Sequence, residues 1–200
     1  MFRSRRSKIL RDKAAMMDMG FSEKDDFGLI RMMTDFQLFK VGMRKRISNI
    51  FTQKNLMEGF ELKIFDYQYT ISTGKSSVTY NQSVLFIHSI QLSLPKFWMQ
   101  PQNFMHRLGQ WIGIDDVDFA DFPEFSKNYW LKGTDVDLVR KGFNPKVLQF
   151  FSNKKGWRLE GIHYYLILYK RRKLLKPEEI ETLYDTGIEV FELFKENGRG

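Results

Sequence analysis

Two long strand-like runs, separated by a glycine turn, set the strongest limit on how this chain folds. Glu61–Ser72 alternates Leu62 and Ile64 on one face before the aromatic Tyr67 and Tyr69, and Ser77–Ile90 is rich in Val, Tyr, Leu, Phe and Ile. A period of two marks a strand half-buried in a sheet, and Thr73-Gly74-Lys75 supplies the reversal between the runs. The sequence therefore predicts an antiparallel hairpin here. Ile47–Gln53 reads as a strand before it, and Phe97–Met99, Tyr129–Lys132, Trp157–Ile162 and Tyr164–Lys170 read as strands after it. The last is a continuous apolar run, typical of a strand covered on both faces.

Elsewhere the period lengthens to that of a helix. Ile9, Leu10, Ala14 and Met17 place a helix over 7–19, stopped by Gly20. Ser22 with Asp25 is suited to cap a second helix carrying Phe27, Leu29, Ile30 and Met33; Gly42 marks a turn. Met16, Met17 and Met19 read as core filler. Phe104–Ile112 has helical spacing, Thr134 is placed to cap a helix through Arg140, and Asn144-Pro145 opens one that buries Val147, Leu148, Phe150 and Phe151. Pro177 opens the final helix, to about Glu196, with Ile180, Leu183, Tyr184, Ile188, Phe191 and Phe194 along one face. Strands interleaved irregularly with helices, without βαβ alternation, predict an α+β fold: a mostly antiparallel sheet with N-terminal helices and a C-terminal helix packed on it. A pleckstrin-homology-like barrel with helical insertions is the alternative. Residues 1–20 read as a basic N-terminal arm or helix and 21–197 as a single α+β domain.

Composition narrows the chemistry. In 200 residues there are 19 Phe, 8 Tyr and 4 Trp, ample for a packed core, and no cysteine. The missing thiols exclude a disulfide scaffold, a thiolate zinc site, an iron–sulfur cluster and a cysteine nucleophile. His88, His106 and His163 are far apart, without a second ligand three or four residues away. The acidic stretch Asp115, Asp116, Asp118, Asp121 and Glu124 breaks the calcium-loop order at Ala120. No G-x-S-x-G, P-loop or G-x-G-x-x-G occurs, so no catalytic residue, cofactor or metal is assigned. The best-placed acid is Asp66, between Phe65 and Tyr67. An enzyme with a dispersed site would need Asp66, Asp116 and Asp118 to converge with a histidine.

Charge is the remaining signal. The net charge is +8, and residues 1–13 supply +5 of it through Arg3, Arg5, Arg6, Lys8, Arg11 and Lys13 against Asp12. Arg44-Lys45-Arg46 and Lys170-Arg171-Arg172-Lys173 add two local patches. The arm's six cations are the candidate contacts to an anionic partner. If residues 1–13 are helical, Phe2, Ile9 and Leu10 among those cations suit an anionic lipid surface. The leading expectation is thus a non-enzymatic binding domain for a protein or an anionic membrane surface. Weak nucleic-acid binding, with Tyr67, Tyr69, Tyr80 and Trp98 as a stacking platform, is disfavoured, because core packing explains the same residues. The longest wholly apolar or aromatic stretch, Tyr164–Tyr169, has six residues, against about 20 for a spanning helix. Lys8, Arg11 and Asp12 interrupt any secretory apolar region, so a cytoplasmic location is expected.

The blocks Phe65-Asp66-Tyr67-Gln68-Tyr69-Thr70 with Gly74-Lys75, and Asp116-Val117-Asp118-Phe119 with Pro123-Glu124-Phe125-Ser126, Tyr129, Leu131 and Gly133, resemble a group of bacterial proteins without an established activity. Phe39–Gly42, Asn49 and Leu94-Pro95-x-Phe97 extend the likeness over roughly residues 16–195. The resemblance implies no catalytic residue. Some members carry hydrophobic segments ahead of this region, and this sequence departs from them there.

Overall fold

The computed structural model describes residues 5–26, 28–102 and 115–195. Helix α1 (Arg5–Met16) leads into edge strand β1 (Gly20–Lys24) and two short helices, α2 (Leu29–Met32) and α3 (Gln37–Lys40). Strands β2 (Met43–Asn55), β3 (Phe60–Ser72), β4 (Ser77–Ser89) and β5 (Leu94–Pro101) follow, then the two-residue β6 (Asp115–Asp116), α4 (Pro123–Asn128) and β7 (Tyr129–Gly133). Helices α5 (Val136–Gly142) and α6 (Pro145–Asn153) precede β8 (Arg158–His163) and β9 (Tyr165–Tyr169). A 3-10 turn, Pro177–Glu179, opens α7 (Ile180–Lys195).

The expected hairpin is the centre of the molecule. β3 pairs with β4 along its whole length, from Phe60 opposite Ser89 to Ser72 opposite Ser77, with Gly74 in the left-handed turn at φ 82. The sheet grows outward from it in the order β1-β2-β3-β4-β9-β8-β5-β7-β6, with each neighbouring pair antiparallel. Its ends, β1 and β6, stay apart. The fold is thus the open α+β sheet with N-terminal helices and a C-terminal helix, and the pleckstrin-homology-like barrel is set aside.

The central strands have two apolar faces, and both are covered. On the first face, Leu62, Ile64, Leu85, Ile87, Leu166 and Leu168 pack beneath α1, α7 and α4–α6. On the second, Phe65, Tyr67, Val84, Phe86 and Ile167 pack with Leu29, Met33, Leu38 and Phe39 from the α2–α3 segment. Gly187 lets α7 approach the sheet closely: a Cβ there would lie 2.2 Å from Leu85 Cδ1.

Three local expectations change. Ser22 lies in β1 rather than capping a helix, and Asp25 alone receives the Leu29 and Ile30 amides, at 2.7 and 3.2 Å. The cap of α5 is Asp135, which accepts the Leu138 N–H at 3.0 Å, not Thr134. Met16 is 81% exposed and fills no core. The helix expected over 104–112 lies outside the described residues.

Candidate functional site

The basic arm is divided between packing and solvent. Arg3 lies outside the described residues. Arg5 and Lys8 are exposed on α1. Arg6 forms a two-pronged pair with Asp66, Nε to Oδ2 and Nη2 to Oδ1, both at 2.8 Å. Arg11 meets Glu23 at 2.6 Å and lies over the Phe21 ring, and Lys13 meets Glu181 at 2.6 Å. Leu10 and Ala14 are fully buried on the first face. Leu10 is therefore spent on the core, which corrects the expectation that it lies against lipid, while Ile9 stays 42% exposed and Phe2 lies outside the described residues.

Asp66 sits in a saturated network rather than a reactive one. Beside Arg6, its carboxylate accepts Asn49 Nδ2 at 2.8 Å and the Ser83 hydroxyl at 3.1 Å. Asn49 reaches it because β2 bulges between Ser48 and Phe51, with Asn49 in the left-handed region at φ 53. Asn tolerates that conformation, and a bulge re-aims a side chain across the sheet. The carboxylates do not converge. β6, which holds Asp116, is six strand positions from β3, roughly 29 Å along the sheet at about 4.8 Å per strand. His88 stacks on Tyr165 at 4.7 Å, and His163 ends β8 in the left-handed region at φ 53; His106 lies outside the described residues. Nor is there an open stacking platform: Tyr67, Tyr69 and Trp98 are buried, and Tyr80 lies under the Arg172 guanidinium, 3.6 Å from the ring centre.

Register gathers the basic runs instead. Arg46 stands opposite Gln68 on β3, and Met43 opposite Thr70, which places Arg44-Lys45-Arg46 at one end of the sheet. On the other side of the hairpin the chain leaving β9 lies along β4 at the same level. Gln82 accepts the Arg172 N–H at 2.9 Å, and the Ser83 hydroxyl accepts the Leu175 N–H at 3.1 Å. Arg6, bound to Asp66, brings the start of α1 to the same rows. Next to Lys170–Lys173 opens a groove of about 650 Å³ into which Lys127, Lys155, Arg158, Lys170, Arg171 and Lys173 face. No carboxylate lines it among the described residues.

Two cations at this end rest on rings, while Lys173 and Lys127 pair with Glu179 and Glu124 at 2.6 and 3.9 Å. Lys170 Nζ lies 4.6 Å from the centre of Trp157, and Arg172 covers Tyr80. A ring face holds a cation in place without cancelling its charge. Burial, then neighbouring Lys173, holds the Lys170 ammonium below its ordinary value. Burial, then Arg158 and Arg172, does the same to Arg171.

Behind the groove, on the second face, lies a buried polar row that sequence reasoning missed. Alternation along β8 sends Leu159 into the first core and Arg158 and Glu160 to the other side, where they are 5% and 2% exposed. Glu160 accepts the Gln37 and Leu38 amides at the start of α3 and the Tyr169 hydroxyl, the last at 2.8 Å. Burial pushes its carboxyl up to about 6, against the lowering effect of those hydrogen bonds and of Arg158. Gln100 stands opposite Trp130 on β7 and one register step beyond the Met99–Leu159 pair on β8; it is fully buried, with neither amide atom hydrogen-bonded. The sequence signal was two opposite charges at i and i+2 in a strand beside a wholly apolar one.

No family model matches the chain, nor does any curated protein. The mycobacterial trehalose monomycolate transport factor A, TtfA, has a similar solved structure, with a TM-score of 0.67 and 12% identity over 98% of this chain and 96% of that one. At that identity the likeness is one of fold: this chain has the open sheet architecture seen in TtfA.

Proposed function

We propose that the chain is a non-enzymatic binding domain that seats the basic end of its sheet on an anionic membrane surface. The observation that carries this is the gathering of runs distant in sequence (α1, Arg44–Arg46 and Lys170–Lys173) at one end, with cations held on aromatic rings. Lys and Arg near an acidic bilayer contribute about 1 kcal/mol each, so the assembled end, rather than the arm alone, gives useful affinity. The scattered carboxylates and histidines speak against a dispersed catalytic site, and the buried tyrosines against base stacking. Among the described residues no helix is long and apolar enough to cross a membrane. A peripheral, reversible mode suits such a chain, and a cytoplasmic location goes with it, because the cytoplasmic leaflet carries the acidic lipids. TtfA is described as a transport factor, which supports reading the shared fold as a binding scaffold. The bacterial group sharing the Phe65–Thr70 and Pro123–Ser126 blocks is proposed to use the same end.

Vesicle co-sedimentation tests the reading. Wild-type protein is expected to pellet with phosphatidylglycerol-containing vesicles, to stay in solution with phosphatidylcholine alone, and to be released by salt. Reversing Arg44, Lys155 and Arg172 to Glu removes roughly 3 kcal/mol or more, a loss of at least about 100-fold. Equal pelleting of the triple variant would overturn the proposal, as would binding that ignores lipid charge. Salt-sensitive retention on nucleic acid with no vesicle binding would replace it.

A further inference from the structure

The basic groove has a smaller neighbour. Arg158 and Arg171 line both the groove and an adjoining cavity of about 70 Å³ walled on one side by Gln37, Leu38 and Val41. That space exceeds the roughly 30 Å³ share of one water and suits one small tetrahedral anion. Its walls combine two guanidinium groups with Gln37, Tyr169 and the rings of Tyr69 and Trp98. Gln37 is only 9% exposed, and its Oε1 is buried with no hydrogen-bond partner. A primary amide presents either oxygen or nitrogen by rotating about its last bond, so this group can turn two donors to an incoming anion. The acid next to the cavity, Glu160, accepts the Gln37 and Leu38 amides and the Tyr169 hydroxyl and offsets part of the Arg158 charge. Two guanidinium groups against one carboxylate leave the walls with net positive charge. After that rotation the amide nitrogen stands in the buried place, where leaving it unpaired costs about 1–3 kcal/mol, a cost that an anion accepting from it removes.

We propose that this inner cavity is a binding site for a single phosphate-type oxyanion, presented through the basic groove and held by Arg158, Arg171 and the Gln37 side chain. The planar guanidinium forks match two phosphate edges, as ammonium groups do not. The proposal deepens the membrane-surface reading by naming the chemical group recognised. That group is shared by an acidic phospholipid head and a free phosphate monoester.

The test is a ¹⁵N-detected titration of the full chain, following the Gln37 side-chain amide and the Arg158 and Arg171 Nε–H signals. The probes are inorganic phosphate, glycerol 3-phosphate and soluble dihexanoyl phosphatidic acid, against sodium chloride at matched ionic strength. Saturable shifts at all three groups are expected with a phosphate probe and not with chloride. Arg171→Gln should weaken them at least about tenfold, given roughly 1.5–3 kcal/mol for hydrogen bonds to charged groups. Lys141→Gln, exposed on α5 and outside both the groove and the cavity wall, should leave them unchanged, and the remaining amide spectrum reports whether each variant is folded. Saturation by phosphatidic acid alone assigns the site to a lipid head, and saturation by inorganic phosphate or glycerol 3-phosphate to a soluble monoester. Shifts that follow ionic strength without saturating would overturn the inference. Vesicle binding without any response at Gln37 would overturn it while leaving the surface reading intact. Saturable phosphate binding without vesicle binding would do the reverse.

Discussion

Glu160 gives the most direct physical test of the second face. Its carboxyl is pushed from 4.5 to about 6, chiefly by burial, while the Tyr169 hydroxyl, the Gln37 and Leu38 amides and Arg158 pull the other way. The folded protein therefore holds this proton more tightly than the unfolded chain does. Stability from the group is fully present below pH 4.5 and is lost as pH rises through about 6. At about 1.4 kcal/mol per pKa unit, the change across that window is roughly 2 kcal/mol. Glu160→Gln retains the shape and an acceptor oxygen but cannot ionise. The difference in unfolding free energy between wild type and variant should thus move by about 2 kcal/mol between pH values of about 4 and about 7.5, with wild type gaining relative to the variant in acid. Other carboxylates act in the opposite sense. Despite its burial, Glu61 is held below its ordinary value by Lys63 and Lys54, and Glu179 is lowered by its hydrogen bond from Lys173; both lose their contribution as pH falls. They are common to both proteins and cancel in the difference. Urea unfolding followed by tryptophan fluorescence at several pH values measures it. Parallel stability profiles for the two proteins would refute the reasoning.

Further outcomes follow from the packing. Arg6→Ala strands the Asp66 carboxylate with only Asn49 and Ser83, and should cost about 1–3 kcal/mol in thermal or urea unfolding, with faster amide exchange across Arg5–Met16. Unchanged exchange there would show that α1 is held by its apolar stripe alone. Leu10→Ala, at a fully buried position, should destabilise by about 2–5 kcal/mol, and a smaller loss would mean that the helix end relaxes into the space. Gly187→Ala should lower the melting temperature despite the better helix propensity of alanine, because the new methyl meets Leu85; a rise would show that α7 shifts freely on the sheet.

What the sequence revealed follows from where the information lies. The β3–β4 hairpin was legible because its period and its turn residue sit in one continuous stretch, and α6 because Asn144-Pro145 announces its start. β1 was not, since five residues at a sheet edge carry too little pattern and Ser22 looks like a cap. The cap of α5 slipped by one residue because Thr134 and Asp135 are both suitable, and only the backbone angle selects between them. The basic groove was hidden for a different reason. Only the Lys170–Lys173 run stands out in the sequence; Lys127, Lys155 and Arg158 join it through the pairing of β9 with β8 and β4, a long-range register that local periodicity does not encode. Arg158 and Glu160 form a buried polar row only once β5 and α3 are brought against them.

The Ser83 hydroxyl has a consequence that reaches the two extremities of the chain. It donates to the carboxylate that Arg6 grips and accepts from the amide of Leu175, just beyond Lys170–Lys173. The first helix and the strap leading to the last one therefore share one hydroxyl in the middle of the sheet, beside the contacts that each makes of its own. That shared group is a route by which the two are coupled. By reciprocity, a ligand that tightens Lys170–Lys173 must raise the free energy needed to peel away the amino-terminal segment by the same amount that peeling weakens the ligand.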